Sequence, residues 1–446
     1  MERTRNAFGH PAQLVLAGFA AAVTIGTLLL WLPLSTQSRA SASFVDALFT
    51  ATSAVSVTGL VVVDTGTYWS LFGQIVILLL IQVGGLGIMT LATLFALMFF
   101  RRAGLRATRA VAVETKAISF QDLRGIVVRI AIFALVVEVA VFSVIAWRMM
   151  AVHAESFGTS LYHAVFLAVS AFNNAGFSPY AGSLEPFVTD PWILGVVSLA
   201  VIVGGLGFPV VLELLRRWRT PQSWSILTRV TLAVSAVLLV IGTIAFWLAE
   251  HDNPQTFAQV SRPQQVLLAF FTSAMTRTAG FNAIAETALQ PESLFLTNVF
   301  MFIGGGSAGT AGGIKVTTIG LLLFVVWAEM RGRPEATIGN RRIALDGQRQ
   351  ALSVVTLSAG IVAVFTFAIM ALTPFTFEQV VFEVVSAFGT VGLSLGITPE
   401  LADPAKVLIA LLMFIGRLGP LTLAVALAAR SKATLVRLPE ERMIVG

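Results

Sequence analysis

The chain has 446 residues, of which 57% are hydrophobic and only 12% are charged, and its mean hydropathy is +0.87. Because soluble domains carry about 25% charged residues, this composition excludes a soluble protein and predicts an integral membrane protein. Cysteine is absent, which excludes disulfides, thiolate metal sites and cysteine nucleophiles. The net charge of +6 would suit nucleic-acid binding, but the positions of the basic residues indicate a membrane topology instead.

Eight apolar stretches are long enough to cross a bilayer as helices, which takes about 20 residues. In chain order they lie at 12–33, 71–99, 125–150, 192–217, 226–249, 294–331, 351–372 and 405–430. Between the members of each successive pair lies a shorter run, and these runs are 42–56, 159–173, 263–276 and 376–388. They are too short to cross, so we predict four re-entrant pore helices. Non-helical backbone at that depth is stable only within protein or beside a water-filled cavity.

Positive charge marks one face of this eight-span arrangement. Of the 29 Lys and Arg residues, 22 lie before residue 10, at 101–129, 216–229 and 331–349, or from Arg430 onward. Since cytoplasmic loops of membrane proteins are enriched in Lys and Arg, we predict cytoplasmic N- and C-termini and no binding to nucleic acid. The basic segments 101–124 and 331–349 are candidates either for docking an acidic regulatory partner or for contact with anionic membrane lipid.

A turn of small residues with one glycine follows each predicted pore helix. The four turns are Val57-Thr58-Gly59, Asn174-Ala175-Gly176, Thr278-Ala279-Gly280 and Thr390-Val391-Gly392. The pattern of span, short helix, turn and span defines four repeats, at 12–102, 125–219, 226–333 and 351–430. A ring of such turns presents backbone carbonyls that replace the hydration shell of a potassium ion. We therefore predict an all-α membrane protein with four pseudo-symmetric repeats and a channel-like pore, although any single turn taken alone suits an ordinary helix C-cap.

These turns resemble those of a known family. Thr390-Val391-Gly392 repeats part of the threonine-valine-glycine run of potassium-channel filters. One signature glycine per repeat, as in the Trk/Ktr/HKT superfamily of potassium transporters, is present at Gly59, Gly176, Gly280 and Gly392. Over residues 12–430 the chain most closely resembles the eight-span translocating subunit of the bacterial Ktr potassium-uptake system. The resemblance implies a bacterial plasma-membrane homodimer and a cytosolic regulatory ring of the RCK/KTN type, which binds ATP/ADP or NAD(H).

The third repeat has an unusual second span. Six glycines occur within its ten residues Gly304, Gly305, Gly306, Ser307, Ala308, Gly309, Thr310, Ala311, Gly312 and Gly313. Each glycine costs a helix about 1 kcal/mol relative to alanine, so we predict a non-helical gate loop at 304–313 below the filter. The resemblance implies the same, since the family has an intramembrane loop there that obstructs the pore. A glycine-rich helix-packing face is the alternative, whereas the apolar flanks exclude a dinucleotide-binding motif.

Several charged residues fall within the predicted membrane region. Arg417 occupies the place of a glycine in the other repeats, and we predict that it hydrogen-bonds the gate-loop carbonyls and repels cations at the closed gate. Packing with snorkelling is the alternative for Arg417, and for Lys315 gate contact and snorkelling both stay open. Glu138 is interpreted as a structural acid, with a coupling-ion ligand as the alternative. Arg277, just before the third turn, is a candidate either for bracing the filter from behind or for the outer mouth, and Glu383 is a candidate for its salt-bridge partner.

These features favour a potassium-translocating subunit with channel-like flux, in which K⁺, or Na⁺, is the transported ion and the chain itself holds no cofactor. An ion-coupled symporter driven by Na⁺ or H⁺ is the alternative, since such transporters also use broken helices at the midplane. The spans contain no Ser-His pair, paired Asp or H-E-x-x-H motif, so we predict that the chain is not an enzyme. The four histidines are scattered and predict no metal site.

Overall fold

The structure, a computed structural model, describes residues 11–87, 90, 120–333, 335–338 and 341–419. Within these ranges the regular secondary structure is helical apart from one short antiparallel hairpin, β1 (Thr337–Ile338) and β2 (Arg341–Arg342). The α-helices are α1 (Pro11–Trp31), α2 (Phe44–Ser56), α3 (Thr65–Tyr68), α4 (Leu71–Gly87), α5 (Phe120–Ala151), α6 (Phe157–Phe172), α7 (Pro191–Leu206), α8 (Phe208–Arg217), α9 (Ile226–Glu250), α10 (Arg262–Met275), α11 (Pro291–Phe302), α12 (Val316–Met330), α13 (Leu345–Leu372), α14 (Phe377–Gly389) and α15 (Asp403–Leu418).

Three helices of the described ranges, α5, α9 and α13, are each long and apolar enough to cross a membrane. The predicted span 192–217 is not one straight helix, because α7 and α8 meet at an angle of 100°. The bend lies at Gly207, which has φ +92° and ψ +140°, a conformation open essentially only to glycine. The predicted span 294–331 is divided into α11 and α12. The predicted spans 71–99 and 405–430 continue beyond the described residues.

Side-chain caps explain where three of the four short helices begin. Ser156 precedes α6, and its hydroxyl accepts the Thr159 amide at 3.3 Å. Capping boxes begin α10, through Ser261 and Gln264, and α14, through Thr376 and its partner three residues later. Such caps satisfy amides that the first helical turn leaves without a partner, and each stabilises a helix by about 1 kcal/mol.

The short helices are surrounded by the other helices of the fold. Helix α2 packs against α1 and α15, α6 against α5 and α7, α10 against α9 and α7, and α14 against α11, α13 and α15. Their C-terminal turns are therefore buried, whereas large apolar side chains such as Leu199, Ile241 and Phe367 stay exposed on the outer helices. This arrangement places the ends of the short helices in the protein interior and an apolar surface toward lipid.

Candidate functional site

The turns that follow the four short helices contact one another in a closed ring. Each turn glycine faces the next turn so closely that an added Cβ would lie within 3.0 Å of a carbonyl oxygen. The pairs are Gly59 with Ala175, Gly176 with Ala279, Gly280 with Val391, and Gly392 with Thr58. Since the last pair returns to the first turn, the four turns enclose a common axis. We call them the turn ring.

Left-handed backbone recurs in every turn of the ring. The four glycines have φ between +68° and +100°, and the residue two positions before each glycine also has positive φ. These residues are Val57 (φ 56°), Asn174 (60°), Thr278 (72°) and Thr390 (51°). Non-glycine residues seldom occupy this region, and where they do, the surrounding structure holds them there. The same strained geometry in all four repeats indicates a shared role.

Hydrogen bonds within each turn orient its carbonyls. In the first repeat the amide of Thr58 donates to the Ser53 carbonyl at 2.8 Å, and that of Gly59 to the Ser53 hydroxyl at 3.1 Å. In the fourth, Ser386 accepts from the two corresponding amides at 2.9 and 3.1 Å. A trans peptide points its C=O opposite to its N–H. The carbonyls of Val57 and Thr58, and those of Thr390 and Val391 in the fourth repeat, therefore point away from the short helix and toward the other turns.

The third repeat differs at this serine position. Ala274 stands there, and the amides of Ala279 and Gly280 both donate to the Met275 carbonyl instead, at 3.1 and 3.3 Å. The amides are still directed back to the short helix, so the turn keeps its carbonyl orientation without the hydroxyl. All twelve residues of the four predicted turns thus lie in one ring.

One side of the ring opens into a cavity of about 300 Å³. The four turn glycines form its floor, and the loops that follow the turns form its wall. Three acidic residues, Asp64, Glu185 and Glu286, line this cavity, which we call the vestibule. A carboxylate-lined cavity beside a ring of carbonyls attracts cations by its negative potential.

On the opposite side of the ring lies loop 304–313, between α11 and α12. The loop packs against the C-terminal end of α7, where the amides of Gly306 and Thr310 donate to the carbonyls of Gly205 and Gly204 at 2.8 and 3.2 Å. The Thr310 hydroxyl also donates to the Asn174 side chain of the second turn at 2.8 Å. A Cβ added to Gly312 would overlap the Thr390 side chain of the fourth turn. The loop thus contacts two separate turns and lies across one face of the ring.

Two cations, Lys315, which is partly buried, and Arg417, which is buried, hold this loop through its carbonyls. Lys315 donates from Nζ to the carbonyl of Ala311 at 2.6 Å and to that of Gly312 at 3.3 Å. Arg417, only 4% exposed, donates to the Thr310 carbonyl and, at 3.3 Å, to that of Gly84. Neither forms an ion pair with an acidic side chain in the described part of the chain. No acidic side chain of the described residues therefore compensates their charge beside the ring. The Lys315 ammonium contacts the carbonyls of the loop, as in the gate-contact alternative.

Residues 2–434 match the TrkH family model, described as a cation transport protein. The chain belongs to the TrkH family. It is 39% identical over 443 residues to Ktr system potassium uptake protein B of Vibrio alginolyticus, covering 99% of this chain and 96% of that one. It is 37% identical to the protein of the same name in Bacillus subtilis, covering 98% and 97%. Potassium/sodium uptake protein NtpJ of Enterococcus hirae is 36% identical, again covering 98% and 97%.

The fold of this TrkH-family chain also matches a solved structure. The potassium transporter TrkH from Vibrio parahaemolyticus superposes with a TM-score of 0.73, covering 96% of this chain and 86% of that one at 19% identity. The predicted all-α membrane fold and the predicted family are therefore confirmed. The chain is a multi-pass membrane protein of a transporter family, and its relatives are not enzymes.

The structure does not pair Arg277 with Glu383, which the sequence analysis left open as a salt bridge. The Glu383 carboxylate accepts hydrogen bonds from the Ser394 hydroxyl, at 2.8 Å, and from the Thr398 hydroxyl. Arg277 donates instead to the Ser235 carbonyl at 3.4 Å. The two residues belong to different repeats, and hydroxyl groups close to Glu383 in sequence satisfy it locally.

Glu138 is held by amide groups. Its Oε1 accepts from the side chains of Gln82 at 2.9 Å and Asn173 at 3.4 Å, and the residue is 8% exposed. Neutral donors of this kind satisfy a buried acid without an ion. This geometry fits the interpretation of Glu138 as a structural acid. No group of three Asp, Glu or His side chains within the described ranges is arranged to hold a metal ion.

The bend between α7 and α8 is a feature of the site that the sequence analysis missed. The Phe208 amide donates to the Ala308 carbonyl at 3.3 Å, and a Cβ on Gly207 would overlap the Ser307 carbonyl. The loop therefore rests on this bend. A signal was present, because Gly207-Phe208-Pro209 places a helix-breaking glycine and proline together inside an apolar run. The sequence analysis also missed Glu286, because an acid in a predicted loop is usually a solvated surface residue.

Proposed function

We propose that this chain is the potassium-translocating membrane subunit of a Ktr-type uptake system, with the turn ring as its selectivity filter. The closed ring is the observation that carries the proposal. The amide of the middle residue of every turn donates back to its short helix, so the carbonyl of the same peptide is left to replace the water of a dehydrated cation. The relatives whose names describe potassium uptake match nearly the whole chain, which supports K⁺ as the transported ion.

In this proposal loop 304–313 is the gate. It lies across the face of the ring opposite the vestibule, and Lys315 and Arg417 add two positive charges there. Those charges repel a cation that leaves the ring, because Coulomb interactions are strong where water is excluded. Opening then requires the loop to release Thr310 from Asn174 and from Arg417, so that the positive groups retreat from the path.

A cytosolic regulatory subunit controls this gate in our proposal, and the translocating subunit is a homodimer. The Ktr system names of the relatives support a partner, and the earlier resemblance indicates an RCK/KTN-type ring that binds ATP/ADP or NAD(H). The vestibule faces the outside of a bacterial plasma membrane, and both termini face the cytoplasm. The hairpin with Arg341 and Arg342, the latter paired with Glu335 at 2.6 Å, lies in the basic segment 331–349 that suits such a partner or anionic lipid. The other candidate segment, 101–124, falls mostly outside the described residues.

Rubidium uptake into proteoliposomes that contain the full chain tests this function. We expect Rb⁺ to enter down its own gradient without a Na⁺ or H⁺ gradient, with the added regulatory subunit changing the rate. An absolute requirement for a Na⁺ or H⁺ gradient would instead establish the symporter alternative, which relatives named for potassium uptake do not favour. Absence of flux under every condition would reject both.

A further inference from the structure

The vestibule contains an acid whose charge nothing in its surroundings balances. Glu286 lies in the loop after the third turn and lines the cavity, yet its side chain is only 7% exposed. Its Oε2 atom is buried and accepts no hydrogen bond from the described residues. A buried carboxylate without partners is costly when ionised, so this oxygen needs either a proton or a cation.

The acids around Glu286 add to this deficit of positive charge. Glu185 lines the same cavity and accepts from the Asn282 side chain at 3.0 Å. Glu250, at the end of α9, is fully buried, and both its oxygens accept hydrogen bonds; the donors are Gln290 at 2.8 Å, Asn253 at 2.7 Å and Thr256 at 2.6 Å. None of the three carboxylates forms an ion pair with Lys, Arg or His where the structure describes the chain.

The other titratable groups on the cavity wall do not supply positive charge either. Asp64, after the first turn, caps α3 by accepting the Thr67 amide at 2.8 Å. The Tyr180 hydroxyl donates to Glu155 at 2.6 Å, and burial beside that acid raises the pKa of Tyr180, which keeps the phenol neutral. The wall therefore presents acids and neutral oxygens.

We propose that Glu286, together with Glu185, binds a dehydrating alkali cation in the vestibule, one step before the turn ring. The assignment rests on the proposed function and adds an outer binding site to it. A divalent metal is not favoured, because no three acidic or histidine side chains of the described residues are arranged to hold one. An alkali cation can be coordinated by one or two carboxylates together with neutral oxygens. Such oxygens are present on the cavity wall, in Ser183, Asn282 and Thr287.

A proton competes with the cation for this site. Burial, and then the charges of Glu250 and Glu185, raise the pKa of Glu286 to about 8. The empty site therefore holds a proton below that pH, and the cation must displace it. Above that pH the carboxylate is ionised and free to bind.

The test measures the KM for Rb⁺ uptake into proteoliposomes as the external pH is varied from 6 to 9 at fixed internal pH. For single-proton competition at a pKa near 8, the wild-type KM rises about tenfold from pH 9 to pH 7. The Glu286→Gln variant mimics the protonated acid, so we expect a raised KM that no longer changes with pH. Glu292→Gln is the matched control, because Glu292 is an exposed acid at the start of α11 outside the vestibule. Its profile should equal that of the wild type.

A second variant tests the site without removing Glu286. Glu185→Gln keeps an oxygen for Asn282 but removes one neighbouring charge, so the midpoint of the KM profile should move to lower pH. A wild-type pH profile that survives in Glu286→Gln overturns the site while leaving the proposed function intact. A second result also overturns the alkali-cation site. If external Ca²⁺ inhibits the wild type but not Glu286→Gln, and the pH profile of the KM for Rb⁺ is the same in both, the site holds a divalent ion. Absence of wild-type flux overturns the function and, with it, the site.

Discussion

The turn ring and the elements that lie beneath it differ in symmetry. The ring itself is built four times from the same parts, a short helix, a left-handed residue and a glycine, and each repeat contributes one quarter. The face beneath it is built from single copies, namely loop 304–313 of the third repeat and Arg417 of the fourth. A cation must be surrounded evenly to lose its water, whereas blocking its path takes only one element on one side. We therefore propose that the equivalent repeats bind the ion and that their divergence controls its passage.

Substitution of a ring glycine should have the largest effect. Gly392 has φ +100°, and an added Cβ would overlap the Thr58 carbonyl. Strain and overlap together exceed about 3 kcal/mol, so we expect Gly392→Ser to lower Rb⁺ uptake about 100-fold and to reduce discrimination against Na⁺.

The matched control for that variant is Gly396→Ser. Gly396 also has a left-handed backbone, at φ +85°, but its Cβ would meet nothing within 4 Å. It therefore shares the backbone strain without the contact to the neighbouring turn. Equal losses in both variants would show that strain alone explains the effect and that closure of the ring does not matter.

Neutralising Arg417, on the side of the ring that faces loop 304–313, should give the next largest effect. Arg417→Gln loses charge-assisted hydrogen bonds, each of about 1.5–3 kcal/mol, to Thr310 and Gly84. We expect Rb⁺ uptake without the regulatory subunit to rise about tenfold, because the closed loop is no longer held. Lys406→Gln is the control on the same helix, since Lys406 pairs with Asp46 at 2.8 Å, away from the loop. An Arg417→Gln protein with wild-type basal uptake would remove Arg417 from the gate.

A smaller effect is expected where the loop contacts the ring. Thr310→Val keeps the shape of the side chain but loses the hydrogen bond to Asn174, which contributes about 1 kcal/mol. Basal uptake without the regulatory subunit should rise about fivefold. Thr297→Val, which loses only a bond within α11, should leave basal uptake at the wild-type level. A decrease in the Thr310 variant would mean that this contact stabilises the conducting state.

The smallest effect is expected at Glu138. In Glu138→Gln the amide oxygen still accepts from Gln82 and Asn173, so Rb⁺ uptake and its independence of Na⁺ should stay within about twofold of the wild type. Uptake assays with and without external Na⁺ measure this. A large loss confined to Na⁺-driven conditions would make Glu138 a coupling-ion ligand and restore the symporter alternative.

Short-range features of the sequence predicted the family and the helical membrane fold, because apolar length and repeated glycines are local signals. The same glycines indicated where the four turns lie. Contacts between repeats were harder to predict. Within the fourth repeat, the partners of Glu383 were also not predicted, because they are hydroxyl groups 11 and 15 residues away that the sequence does not distinguish from surface residues. The bend at Gly207 depends on the loop that rests against it, and the vestibule depends on loops from different repeats that meet only in the folded chain.

If the turn ring is the selectivity filter, as we propose, its construction from one polypeptide changes how selectivity evolves. In a pore assembled from four identical subunits, each substitution near the ion occurs four times, and its consequences are correspondingly abrupt. Here a mutation alters one repeat of four, as Ala274, which stands behind the third turn where the other repeats have serine, already shows. Ion preference can therefore drift in small steps, one quarter at a time, while the remaining three preserve transport.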